Sequence, residues 1–188
     1  MEKIFEQIVS EHKNLIKQFL DKAFQDKVLN TVSIILSAIK EGKKVLLCGN
    51  GGSAADCQHF AGEMIGRFLK ERQSLPFISL TTNTSILTCI GNDYSFDNIF
   101  SRQIEGIGSQ GDILISFSTS GSSKNIINAV YTAKNKKMKV IGFTGTLPNP
   151  VGDISDICIG VDSKSTPRIQ EIHILLIHTI CLFIEEAL

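Results

Sequence analysis

The sequence predicts an α/β fold: a parallel sheet of five strands with helices on both faces, preceded by a pair of helices. Three observations lead there. From Lys43 onward, short β-branched or apolar runs alternate with helical stretches. Each run is bounded by turn signals, as strands of a sheet covered on both sides require. One junction, Val45-Leu-Leu-Cys-Gly-Asn-Gly-Gly-Ser53, reads as a strand, a glycine-rich turn and a helix opening at Ser53.

Taken in order, residues 2–40 carry apolar positions at helical spacing (Ile4, Ile8, Leu15, Phe19, then Val28, Val32, Ile35 and Ile39). They predict two long helices broken near Asp26, the second ended by Gly42. This pair has more apolar surface than one sheet face needs, so residues 1–42 are expected to serve oligomer contacts. The strands are expected at Val45–Cys48, Phe77–Leu80, Ile113–Phe117, Val140–Phe143 and Ile157–Val161. A last helix runs from about Pro167, a residue acceptable in a first turn. No repeat, low-complexity tract or linker interrupts the 188 residues, which read as one domain.

The chain has 19 Lys and Arg against 19 Asp and Glu, so no global field favours nucleic acid or an anionic membrane. The basic run Lys134–Lys139 reads as a solvated helix end. Five scattered cysteines without a C-x-x-C pair suit a reducing compartment, not a disulfide framework or zinc finger. The first residues alternate charged with apolar side chains and lack a signal-peptide core. The longest apolar run, Ile172–Ile184, contains His178 and is expected to be too short to span a bilayer. A soluble cytoplasmic protein is the expectation.

In an open parallel sheet, ligands bind beyond the carboxyl ends of the strands. That rule selects Gly49–Ser53, Thr81–Thr84, Ser118–Ser123 and Thr144–Thr146, all rich in Gly, Ser, Thr or Asn. Hydroxyls and backbone N–H groups at a helix start hold a phosphate without local positive charge. Neither Gly49–Ser53 nor Ser118–Ser123 fits G-x-G-x-x-G or a P-loop, which disfavours dinucleotide and ATP sites. The helix after the first turn carries His59 and Glu63, four residues apart and expected at the same end of the sheet as the cradle. A carboxylate and an imidazole suit proton transfer between adjacent sugar carbons, and the spacing equally suits two ligands of one metal. Gln170 and His178 lie eight residues apart on the last helix, roughly 12 Å of rise at about 1.5 Å per residue. One ion joins both only if side chains lean or the helix deforms, or if neighbouring subunits supply different ligands.

The segments Gly49-Asn-Gly-Gly-Ser-Ala-Ala-Asp56, Gln58-His-Phe60, Leu80-Thr-Thr82, Gly91-Asn-Asp93, Ser118-Thr-Ser-Gly121 and Arg168-Ile-Gln-Glu-Ile-His173 resemble the sugar isomerase (SIS) family. More narrowly, they resemble its phosphoheptose isomerases, over nearly the whole chain. The resemblance implies a flavodoxin-like SIS fold and conversion of D-sedoheptulose 7-phosphate to D-glycero-D-manno-heptose 7-phosphate through an enediol(ate). That step lies early in ADP- or GDP-heptose biosynthesis for lipopolysaccharide or capsule. The resemblance also implies a homotetramer with active sites at subunit interfaces, and a zinc ion in each subunit.

Carried over by motif, Asn50, Gly51, Gly52, Ser53, Asn92 and Asp93 contact substrate, and Ser118, Thr119, Ser120 and Ser123 hold the phosphate. Glu63 is the base and His178 its acid/base partner. His59, Glu63, Gln170 and His178 resemble the zinc ligand set, and Glu63 and Gln170 also count among the substrate contacts. The chain departs from the family pattern at Ser122, where Asn is usual, and at Asn83, where Asp is common. Cys57 and Gly62 also replace alanines. A different reading of the same motifs is a regulatory SIS protein of the type that associates with the DnaA initiator. Such a protein need not keep the Glu63–His178 pair.

Overall fold

The computed structural model describes all 188 residues. Helix α1 (Glu2–Ile16) runs into a short 3-10 turn, and α2 spans Lys22–Lys40. The break falls at Asp21, five residues before the expected Asp26. Asp21 is extended and its carboxylate accepts a hydrogen bond from the Phe24 amide at 2.9 Å, making it the N-cap. Asp26 instead sits inside the first turns of α2, paired with Lys22 at 2.7 Å. Gly42 ends the helix as expected, with φ +71° and the Lys43 amide returning to the Ala38 carbonyl.

Five strands follow, alternating with helices: β1 (Val45–Gly49), α3 (Gly52–Ile65), β2 (Phe77–Ser79), α4 (Thr84–Asp93), α5 (Ser101–Ile107) and β3 (Ile113–Ser118). The chain continues with α6 (Lys124–Asn135), β4 (Lys139–Thr144), α7 (Pro150–Ile154), β5 (Ile157–Gly160) and α8 (Thr166–Ala187). All pairings are parallel, in the order β2-β1-β3-β4-β5. This is the flavodoxin-like arrangement that the family resemblance implies. Every residue of β1 and β3 is buried, because helices cover both faces. One core lies between the sheet and α2, α3 and α8, and a second lies under α4 to α7.

Helix α8 is longer than the apolar run suggested. Its 22 residues, with an 18-residue stretch of mean hydropathy 1.3, have the length and composition of a membrane span. Its apolar stripe, from Ile169 through Ile184, packs instead into the first core. By contrast α1 buries none of its residues and leaves Ile4, Phe5, Ile8 and Val9 exposed.

His173, on the buried face of α8, is wedged against the rings of Phe117 and Phe143. Its Nε2–H donates to the Thr144 carbonyl at 3.2 Å, while Nδ1 has no partner. Burial pulls its pKa down from 6.5 to about 4. The unfolded chain therefore takes up this proton as pH falls through 6.5, whereas the folded chain resists until about 4. Stability is thus fully retained above 6.5 and lost progressively below it, by roughly 2 kcal/mol at pH 5. In His173→Leu, Thr144 keeps its bond from the Val161 amide. Urea unfolding at pH 8 and pH 5 should show a smaller acid-induced loss in the variant than in the parent.

Candidate active site

The first cradle forms where β1 meets α3. Gly51 has φ +54°, a conformation L side chains rarely adopt, and it turns the chain into a helix that starts at Gly52, one residue before Ser53. A Cβ on Gly52 would run into the Gln170 amide, so glycine here lets Gln170 of α8 lie against the turn. The second cradle lies between β3 and α6. Gly121 has φ +64°, and a Cβ there would meet Asn149. The Ser118 hydroxyl donates to that of Ser123 at 3.4 Å.

A reciprocal amide pair joins the two turns. The Asn50 Nδ2 donates to Asn125 Oδ1 at 2.9 Å, and Asn125 Nδ2 donates back to Asn50 Oδ1 at 2.8 Å. A cavity of about 260 Å³ opens between the turns, lined by Asn50, Gly51, Gly52, Ser53, Phe117, Ser118, Thr119, Ser123, Thr166 and Gln170. Gly52 and Ser53 of the first turn of α3 and Ser123, the N-cap of α6, line this cavity, and helix N-termini favour an anion. Eight of these ten residues are among those named from sequence. Thr166 and Phe117 were missed, as was Asn125, whose only signal is a poor helix former in the first turn of α6.

Ser120 is exposed, and its hydroxyl accepts from the Ser122 amide at 3.2 Å within its own turn. Asn92 and Asp93, at the exposed end of α4, do not line the cavity. There the Asn92 amide, and then the Cys89 thiol, hold the Asp93 carboxyl below the usual carboxylate range. Thr81 and Thr144 serve the fold. The Thr81 hydroxyl bonds to Ser79, Gln58 and the Ala54 carbonyl, and the Thr144 hydroxyl accepts from Asn149. Asn83 caps α4, accepting from the Ile86 amide at 3.0 Å, a task that needs no charge.

A second group of side chains gathers where α3 crosses α8. His59 Nε2 lies 2.8 Å from His178 Nε2 and 3.4 Å from Glu63 Oε1. One donor atom from each of the three residues falls within 4.8 Å of the others. All three are half-buried, and Phe68 stacks on the His178 ring with centroids 5.5 Å apart. Two imidazoles and a carboxylate are a donor set that zinc accepts.

The cradle and this trio are not at the same end of the sheet, contrary to expectation. Helix α3 runs back from the cradle, and Glu63 lies eleven residues past Gly52, roughly 16 Å along the axis at about 1.5 Å per residue. On α8, Gln170 reaches the cavity, while His178 is two turns further along. Within one chain, Gln170 therefore belongs to the cradle group and the other three to the trio.

A parallel α/β sheet with a hydroxyl-lined cavity beyond its strand ends and a carboxylate–imidazole cluster is the architecture of the SIS class. The comparisons with known proteins agree. The family model described as SIS domain matches residues 8–145. A phosphoheptose isomerase of Aliarcobacter butzleri is 49% identical over 177 residues, covering 94% of this chain and 93% of the relative. Among solved structures, the phosphoheptose isomerase from Neisseria gonorrhoeae shares 40% identity at a TM-score of 0.88, covering 97% of this chain and 99% of that one. The corresponding structure from Francisella tularensis gives 34% and 0.89, covering 98% and 96%. The chain belongs to the phosphoheptose isomerase family, and it is an isomerase rather than a regulator without catalysis.

Proposed function

We propose that this chain interconverts D-sedoheptulose 7-phosphate and D-glycero-D-manno-heptose 7-phosphate in the cytoplasm, supplying heptose for lipopolysaccharide or capsule. The observation that carries the reading is the convergence of Glu63, His59 and His178 in a chain that also builds a hydroxyl-lined cradle.

Ser118, Thr119, Ser120 and Ser123 hold the phosphate, with the helix N-termini favouring its charge. Asn50, Gly51, Gly52, Ser53 and Gln170 contact the sugar chain, and Asn92 and Asp93 complete the substrate contacts. One Glu63 oxygen takes the proton from C1 of the ketose and returns it to C2. His178 moves the proton between the sugar oxygens and assists ring opening. His59 sits against both groups and keeps them in register. His59, Glu63 and His178, with Gln170, would hold one zinc ion per subunit, which supplies Lewis-acid polarisation of the carbonyl.

A seven-carbon phosphate has eight bonds from phosphorus to C1 and reaches only roughly 10 Å when extended, at about 1.2 Å of advance per bond. The roughly 16 Å between cradle and Glu63 along α3 exceeds that reach. The site is therefore assembled from two copies: cradle and Gln170 from one, His59, Glu63 and His178 from a neighbour, in a homotetramer. The exposed apolar stripe of α1 supports this assembly, since a contiguous apolar patch of this kind marks an interaction surface.

Coexpression of two inactive variants tests the arrangement. Ser123→Asp places a repelling charge in the cradle while keeping a good N-cap for α6. Glu63→Gln removes the base. Randomly mixed subunits should regain about a quarter of wild-type activity, because one site in four pairs an intact cradle with an intact trio. Absence of activity in the hybrids would place both halves in one chain.

A further inference from the structure

We propose that Arg72 and Glu185 form a positioning clamp that sets where Glu63 and His178 stand, and so controls turnover without touching substrate. The inference rests on the isomerase reading above, since it concerns the same reacting groups.

The Glu185 carboxylate is buried near the end of α8, with 1% of its side chain exposed. It accepts from three successive amides of the loop after α3: Phe68 at 2.9 Å, Leu69 at 2.8 Å and Lys70 at 2.9 Å. A fourth bond comes from Arg72 Nε at 3.0 Å. Burial would raise the carboxyl pKa, but the three amides and the guanidinium overcome it and hold the group ionised below its ordinary range.

The rest of the Arg72 guanidinium caps the end of α3. It donates to the Glu63 carbonyl at 2.7 Å, to Met64 at 2.8 Å and to Gly66 at 3.4 Å. These carbonyls lie in the last turn, where no helical partner is left for them. A cation there also suits the negative end of the helix dipole. One ion pair thus grips the backbone of the base itself and the loop that follows it.

The second reacting group is reached through Phe68. Its amide is fixed by Glu185 and its ring stacks on His178 at 26° between planes. Glu185 is seven residues beyond His178, on the same face of α8. The clamp therefore ties α8, the Phe68 loop and the end of α3 into one frame. A planar fork bonding several oxygens at fixed angles is a task for Arg that Lys cannot copy.

Arg72→Lys and Glu185→Gln test the clamp. Lys keeps the charge opposite Glu185 but loses the fork, and Gln turns one acceptor oxygen into a donor facing the Leu69 and Lys70 amides. We expect kcat on sedoheptulose 7-phosphate to fall about 10- to 100-fold, as a displacement near 1 Å produces. KM should change less than about threefold, because the cradle is untouched. Circular dichroism and oligomer size should match the parent. The chain has four histidines, so the His178 ring protons are resolvable by NMR, and the upfield displacement caused by Phe68 should shrink in both variants.

Unchanged kcat in folded variants overturns the proposal, and so does full rescue by Lys, which would mean that charge alone suffices. Parallel loss of kcat, substrate affinity and melting temperature would reduce the pair to a structural role. If the parent itself fails to turn over the sugar phosphate, the isomerase reading falls. The His178 signals then decide the clamp alone: shifted in both variants it stands as a frame for the trio, unshifted it fails.

Discussion

Glu63→Gln is expected to lower the rate of sedoheptulose 7-phosphate isomerisation by roughly 10³-fold or more, with the fold intact. The two side chains have the same shape, so packing between α3 and α8 is preserved. Gln cannot take a proton from carbon, and no other carboxylate belongs to the cluster formed with His59 and His178. Asp56 is the neighbouring acid on α3, but burial pushes it up to about 6 and it is enclosed in the core face. It is not placed to substitute. Anion-exchange chromatography of the sugar phosphates at fixed times reads the rate directly, and a fully active variant would remove Glu63 from its assigned role.

His178→Ala should produce the second largest effect, a loss in kcat of about 10²- to 10³-fold with a much smaller change in KM. The imidazole is 2.8 Å from His59 and packed under Phe68, so Ala removes the proton carrier and leaves a gap beside the ring. The residues lining the cavity are left unchanged, so substrate affinity is expected to hold. Steady-state kinetics over a range of substrate concentrations separates the two parameters. Comparable losses in kcat and affinity would point to a role in metal or substrate binding instead.

Much of this architecture is legible in the sequence because its signals are local. The five strands lie within one residue of expectation at each end, since apolar runs and polar turns mark them independently of tertiary contacts. Gly42, Gly51 and Gly121 occupy positive-φ positions, and each announces a turn by its composition. The helix break was misplaced because Asp21 and Asp26 both look like caps, and only the backbone bond to Phe24 distinguishes them. Seven of the ten cavity residues, in Gly49–Ser53 and Ser118–Ser123, follow from the rule for the carboxyl ends of parallel strands.

What the sequence hides is non-local. Asn125 is an ordinary polar helix residue until it meets Asn50, 75 positions away. Glu185 reads as a solvated helix-end acid, yet it is buried against a loop 115 to 117 residues earlier. The separation of cradle and trio is set by helix direction and rise, and a motif read as one continuous signature conceals it.

The most direct test of the central claim is a proton NMR time course of the purified protein with D-sedoheptulose 7-phosphate and added zinc. The claim predicts growth of the aldose anomeric signals of D-glycero-D-manno-heptose 7-phosphate to an equilibrium mixture, and none when Glu63 is replaced by Gln. A substrate spectrum that stays unchanged with folded, zinc-supplied wild-type protein would contradict it.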